Sequence, residues 1–241
     1  MPSHYRRYGL AALIYAAGFA YILLRWDAIP DPVTVHIGPT GEADGFAPKT
    51  LLSTTLPMII GIAVTLILPL FLPPRSLARH TVDVPADGAL PFSETVARRV
   101  EKLCDASADV VSKIILAMGA LFAVMNTSMV VPDVKLPVWL EIALWIGFTI
   151  YVVVIGMRVT SKKDGIEPDA EEQARNERLR YQGGMGTYSA PNDPMVAAVL
   201  PSNPGKIAVN TAHAPGKRYL RRVVVGVVAT IAVCVALPFV V

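Results

Sequence analysis

Five unbroken apolar runs dominate the chain: Tyr8–Trp26, Leu51–Leu72, Ile114–Val131, Val138–Met157 and Val223–Val241, of 19, 22, 18, 20 and 19 residues. Helices of a water-soluble core keep a polar face, so runs this long and uniform do not belong in one domain's interior. A hydrocarbon slab of roughly 30 Å takes about 20 apolar residues in a helix. Lipid offers no partner to a free N–H or C=O, so each run is predicted to be helical whatever its β-branched content. That includes Val223–Val241, whose VVVGVV opening would favour a strand in water. Composition points the same way: 53% of residues are hydrophobic and 17% charged, against roughly a quarter charged in a soluble domain. These figures exclude disorder and a disulfide scaffold. The net charge of +3 is too small to argue for nucleic acid. The expected fold is an all-α integral membrane protein with five transmembrane helices and the lipid bilayer as its first partner.

Cationic loops set the orientation. With five spans, residues 1–7, 73–113 and 158–222 share one side and carry nineteen of the Lys and Arg residues; the other side has Arg25, Lys49 and Lys135. The N-terminus is therefore expected in the cytoplasm of a bacterial plasma membrane and the C-terminus outside it. The first run follows Arg6 and Arg7 but is longer than a signal-peptide core and lacks an A-x-A site, which predicts an uncleaved span. The chain then divides into 1–72, two spans and an outer loop; 73–113, a cytoplasmic amphipathic segment; 114–157, a helical hairpin; 158–222, a charged helix and a small β module; and 223–241, the fifth span.

Residues 26–49 read WDAIPDPVTVHIGPTGEADGFAPK. Pro30, Pro32 and Pro39 argue against regular structure, and Gly38, Gly41 and Gly45 suit tight turns; an ordered loop is expected. Ile29, Pro30, Asp31, Val33, His36, Gly41, Asp44 and Lys49 match a signature after the first span of a bacterial membrane family. The segment resembles the DUF1648-like family of unknown function that contains the SdpI-type toxin-immunity proteins. Thr34 departs from the proline usual before the histidine. The resemblance covers about the first 70 residues and implies a topology more than a chemistry. Some relatives protect a membrane from a secreted peptide toxin, and one also sequesters a repressor, so it implies a membrane-protein or peptide partner here. Asp31, His36, Glu42 and Asp44 raise a metal site; the plainer expectation is that His36 and Asp44 bond turn backbone and Lys49 snorkels. Neither a metal nor a cofactor is expected.

Polar residues within the spans are few. Asn126, Thr127 and Ser128 lie near the outer end of the third run and Glu141 near the start of the fourth. The short connection 132–137 makes these runs antiparallel neighbours, so Asn126 or Ser128 is predicted to face Glu141; the expected intramembrane pair is Asn126 with Glu141. Small residues Ala12, Ala16 and Ala20, then Gly119 and Ala123, then Gly226, Ala229, Ala232 and Ala236 suit close helix packing, or alternatively a homodimer face. Pro57 and Pro69 predict bends in the second run.

In the cytoplasmic segments, Ser93 is a natural N-cap for an amphipathic helix with Val96, Val100, Leu103 and Val110 on one face. That helix either lies on anionic headgroups or extends the third span. A charged helix is expected at 169–181, with Glu171 and Arg175 spaced for an i,i+4 contact. Beyond it, Met195–Leu200 and Ile207–Thr211 flank the turn-forming Pro201–Lys206, which predicts a β-hairpin. Tyr188, Asp193, Pro194, Asn210 and Ala212 resemble a second small module (DUF5808-like) over residues 183–217, although its usual aromatic residues are mostly missing. Gly183, Gly184 and Gly186 lack the following Lys-Ser/Thr of a phosphate loop. There is no H-E-x-x-H, no G-x-S-x-G and no pair of aspartates within the spans, so a non-enzymatic protein is expected. An accessory subunit of a transport or respiratory complex is the alternative, ahead of a membrane hydrolase.

Overall fold

The computed structural model describes residues 3–38, 42–160, 165–184 and 186–240. It is mostly helical with two small sheets. The order is α1 (Ser3–Leu24), β1 (Val33–Ile37), β2 (Ala43–Ala47), α2 (Leu51–Ile67), α3 (Glu94–Val130), α4 (Val138–Thr160), α5 (Ala170–Leu179), β3 (Thr187–Tyr188), β4 (Ala197–Val199), β5 (Ile207–Asn210) and α6 (Ala214–Val240). Four segments, Ser3–Leu24, Leu51–Arg79, Glu94–Val130 and Val138–Met157, are long and apolar enough to cross a membrane. The fifth apolar run is helical as well over residues 223–240, inside α6. The chain forms two compact units: residues 1–69, 111–154 and 227–241, and residues 70–110 with 155–226.

In the first unit α1 buries Ala11, Tyr15, Gly18 and Ile22, a stripe with the three-to-four-residue spacing of one helix face. The small residues Ala12, Ala16 and Ala20 lie on the exposed side instead. Size explains the choice. A Cβ at Gly18 would come within 2.8 Å of Met58 Sδ, so this glycine is the gap that admits a large side chain, and Tyr15 and Ile22 fill the space beside it. Gly61 does the same from α2, where a Cβ would meet the Phe122 ring and the Tyr15 hydroxyl at 2.7 Å each. The resulting core joins Tyr15, Ile22, Ile29, Val33, Met58, Ala123, Val130 and Val131. Outward faces stay apolar: Trp139, Ile146 and Ile150 of α4 are all exposed, as a lipid-facing helix requires.

The start of α2 is fixed by Thr50, whose side chain accepts the Ser53 N–H while Ser53 Oγ accepts the Thr50 N–H, a reciprocal cap. Pro57 sits inside α2, and Pro69 lies in the 3-10 turn Leu68–Phe71 that follows it.

In the second unit the Ser93 hydroxyl accepts the Val96 N–H, and α3 runs unbroken for 37 residues. Its first part does not rest on headgroups. Val96, Ala97, Val100 and Cys104 pack with Met195–Leu200, Ala208 and Val209 in one buried cluster. The apolar face is covered by its own unit because the β module supplies a complementary apolar surface. The expected pair β4–β5 is antiparallel, with Ala197 opposite Val209 and Val199 opposite Ile207. A third strand joins it: β3 runs parallel to β5, giving the order β3-β5-β4. The thiol of Cys104 is pushed up to about 11, first by burial and then by the nearby Asp105 charge.

Asp169 caps α5 by accepting the Glu172 N–H at 2.7 Å, and it also accepts from Ser93 Oγ and the Thr95 N–H. Burial alone would raise its pKa, but the N–H groups of Glu172 and Thr95 and the Ser93 and Thr95 hydroxyls outweigh that and hold it below the ordinary carboxylate range. Glu94, bonded by Arg79 and Arg98, is lowered too. A carboxylate depressed in the folded state contributes stability that is present above its unfolded pKa, about 4, and is lost as pH falls through the lower folded value. Urea unfolding of this unit, followed by hydrogen exchange, is therefore expected to show falling stability below about pH 4. The Asp169→Asn variant should show a smaller loss over the same interval.

Candidate functional site

Val33–Ile37 and Ala43–Ala47 pair as an antiparallel β-hairpin closed at its base, where a loop without regular structure was expected. Alternation explains it: Val33 and Ala47 are buried while the opposed Thr34 and Phe46 are half-buried and exposed, and this period of two is stronger than Pro30 and Pro32, which lie before the first strand. The register pairs Val33 with Ala47, Thr34 with Phe46, His36 with Gly45 and Ile37 with Ala43, with irregularities on both sides of His36. Gly45 is required there, because a Cβ would lie 2.7 Å from His36 Cβ. The Gly38 N–H donates to Glu42 O at 2.9 Å near the tip. Gly41 lies outside the described residues.

Most of the signature side chains meet one another. Lys49 Nζ donates to Ile29 O at 2.8 Å, its backbone N–H donates to Asp31 Oδ1 at 3.1 Å, and its ammonium lies 5.2 Å from the Trp26 ring centre. Lys49 thus ties the end of the segment to its beginning, with Pro30 held between the bonded residues Ile29 and Asp31. His36 Nδ1 pairs with Asp44 Oδ1 across the strands, not with turn backbone. Among the described residues no group of three His, Cys, Asp or Glu side chains is placed to hold a metal. Arg25 pairs with Asp133 of the connection between α3 and α4. Phe46 is 58% exposed, and Asp27, Glu42 and Asp44 of the same segment are exposed as well.

Lys49→Met removes the bond to Ile29 and the cation over Trp26. The expected cost is about 1.5–3 kcal/mol for a hydrogen bond from a charged group, read as faster amide exchange in residues 33–47; Lys49→Arg should recover part of the protection.

Residues 13–61 match DUF1648, a domain of unknown function. The match runs from the middle of α1 through the hairpin to Gly61 of α2, so the DUF1648 segment is two helical stretches joined by a clamped β-hairpin. No curated protein and no solved structure matches the chain.

Inside the first unit one of the two expected pairings forms: Ser128, not Asn126, meets Glu141. Asn126 does not meet Glu141. Its Oδ1 accepts the Met58 N–H at 3.1 Å and its Nδ2 donates to Thr54 O at 2.7 Å. In a regular helix those two groups bond each other; next to Pro57, which has no N–H to give, the carboxamide of Asn126 serves both. Glu141 takes Ser128 instead, at 2.7 Å, and Ser128 Oγ also accepts the Leu136 N–H at 2.9 Å. The sequence signal for the Asn126 contact was Pro57, a helix interior proline that leaves backbone groups to be satisfied elsewhere.

The second unit holds a buried ionic centre. Arg175 does not reach toward Glu171; it turns inward and binds Asp193 through two bonds of 2.7 and 2.6 Å, with side chains only 1% and 0% exposed. Arg175 also donates to Pro91 O, and Asp193 accepts the Met195 N–H and the Tyr188 hydroxyl. Burial first, then the Asp193 charge, raises the Tyr188 phenol well above its ordinary value. Asn210 bonds Ala190 in both directions and accepts the Ala212 N–H, and His213 Nε2 donates to Asp193 O at 2.7 Å. The residues Tyr188, Asp193 and Asn210 singled out in the sequence therefore form one polar network. Arg175, its charge balance, sits outside that motif and was missed. This network is saturated with internal bonds, so its role is to define the fold of the module.

Proposed function

We propose that the chain is a non-catalytic, multi-pass plasma-membrane protein whose outer hairpin recognises a partner, with α6 as a fifth span, the N-terminus in the cytoplasm and the C-terminus outside. The observation that carries this reading is the DUF1648 hairpin itself. Lys49, Trp26 and Asp31 clamp its base, while Phe46 and the carboxylates Asp27, Glu42 and Asp44 stay exposed. A rigid scaffold that presents an aromatic residue among acids fits a cationic, partly apolar peptide or the basic outer loop of another membrane protein. The two-stranded sheet also leaves an outer strand edge open to pairing. The likeness to SdpI-type immunity and signalling proteins supports the same reading, as does the DUF5808-like pattern for a cytoplasmic module. The basic residues gathered on residues 1–7, 73–113 and 158–222 support the orientation.

The test is a photo-crosslinking amino acid at Phe46 in cells. Adducts with a protein or peptide that weaken when Asp27→Asn and Glu42→Gln are introduced are the expected result. Lipid adducts alone would overturn recognition. For the orientation, His36→Cys in a chain lacking Cys104 and Cys234 should react with an impermeant maleimide from outside the cell.

A second reading is an accessory subunit of a larger membrane complex. It is favoured by α4, whose spanning window is only 6% buried, against 33% for α3, so one long face remains for a partner helix.

A further inference from the structure

Elsewhere in the second unit Arg75 meets Asp105, Arg79 meets Glu94 and Glu101, Arg98 meets Glu94, Arg99 meets Glu172 and Arg175 meets Asp193, while Arg178 donates to Gly88 O and Arg180 lies over the Tyr181 ring. The start of α6 differs. Its sequence from Ala214 to Val223, APGKRYLRRV, holds four cations and no acid. Lys217, Arg218, Arg221 and Arg222 are all exposed, and none has a carboxylate within ion-pair distance among the described residues.

At about 100° per residue the four positions lie within about 140° of arc, with Lys217 above Arg221 and Arg218 above Arg222. The same side continues with Val225 and Val228, 61% and 60% exposed. The rotation of α6 is set by the side adjoining this arc, about 40–60° beyond Arg222. Tyr219 donates its hydroxyl to Phe71 O at 2.7 Å, and Gly226 sits so close to Leu70 that a Cβ would come within 2.6 Å of Cδ1. Arg222 lies 5.5 Å from the Tyr219 ring centre.

Nothing internal to the helix accounts for this pattern. Cations in the first turns oppose the helix macrodipole, and like charges four residues apart repel. A cationic band directly before an exposed valine face has the layout of a headgroup layer above acyl chains. We propose that this face of α6 binds anionic phospholipid, with phosphate groups at the level of Lys217, Arg218, Arg221 and Arg222 and acyl chains along Val225 and Val228. The inference rests on α6 being a span.

The experiment uses the full chain, delipidated in a nonionic detergent and titrated with phosphatidylglycerol or phosphatidylcholine, with bound lipid counted by native mass spectrometry. Each cation near an anionic surface contributes roughly fivefold in affinity. The wild type should therefore prefer phosphatidylglycerol, and a chain with all four residues changed to Gln should lose at least tenfold of that preference while its phosphatidylcholine binding is unchanged. Lys206→Gln, elsewhere on the unit, should have no effect, and millimolar inorganic phosphate should not displace the lipid. Equal phosphatidylglycerol uptake by wild type and the fourfold variant would overturn the inference, as would displacement by free phosphate. Carbonate extraction and outside labelling of a Cys placed at Val235 report separately on the span, so a failed span and a failed lipid site give different results.

Discussion

Asp193→Ala is expected to unfold the second unit, or to cost it about 3–5 kcal/mol, the range for removing one partner of a buried ion pair. The substitution leaves the Arg175 guanidinium, which is 1% exposed, facing apolar surroundings with only the Pro91 carbonyl as a partner. It also strips the Tyr188 hydroxyl and the Met195 N–H of an acceptor. Hydrogen exchange over residues 187–210 and tryptic cleavage at Lys206 will both accelerate, by roughly a hundredfold or more at 1.4 kcal/mol per factor of ten. Asp193→Asn will recover only part of the loss, since its amide presents N–H groups to a guanidinium that also donates. Replacing both partners with apolar residues of similar volume is expected to be milder than either single change. If the single variants kept wild-type exchange rates, the ionic centre would be ornamental to the fold.

Asn126→Leu is the second large effect, expected at about 1–3 kcal/mol because it withdraws both ends of a buried carboxamide from α2. Two groups then compete for one remedy: Met58 N–H and Thr54 C=O must bond each other, which the Pro57 ring resists by holding the helix open. The measurement is the thermal midpoint of the chain in detergent, followed by fluorescence of Trp26, Trp139 and Trp145. Pro57→Ala removes the ring that keeps the Met58 N–H from the Thr54 carbonyl, so Asn126→Leu should cost less in that background, and the cycle should give a coupling of about 0.5 kcal/mol or more. Asn126 and Glu141, which do not touch, should be additive. Coupling between those two instead would contradict the Asn126–α2 geometry.

The site was partly visible in the residues. Asp31, His36, Asp44 and Lys49 were singled out by their spacing and do meet, but as a clamp and a cross-strand pair. Prolines at 30, 32 and 39 suggested an irregular loop, whereas β1 runs from Val33 to Ile37 and β2 from Ala43 to Ala47. The alternation of Val33, Thr34, Phe46 and Ala47 was the better guide. The pairing of Asn126 went astray because chain proximity favoured the neighbouring helix, and α2, nearly 70 residues away in sequence, offered open backbone groups beside a proline.

Helices in the apolar runs follow from composition alone: a backbone surrounded by lipid must bond to itself, and that requirement overrides the β propensity of Val223–Val228. Loop charge carries the proposed orientation for the same local reason. Which polar groups meet is a different matter. Arg175 finds Asp193 and not Glu171, and residues 70–110 and 155–226 fold into one unit, because burial makes each charge seek the partner that satisfies it most completely. That choice depends on surfaces brought together from distant parts of the chain, and only the folded molecule defines them.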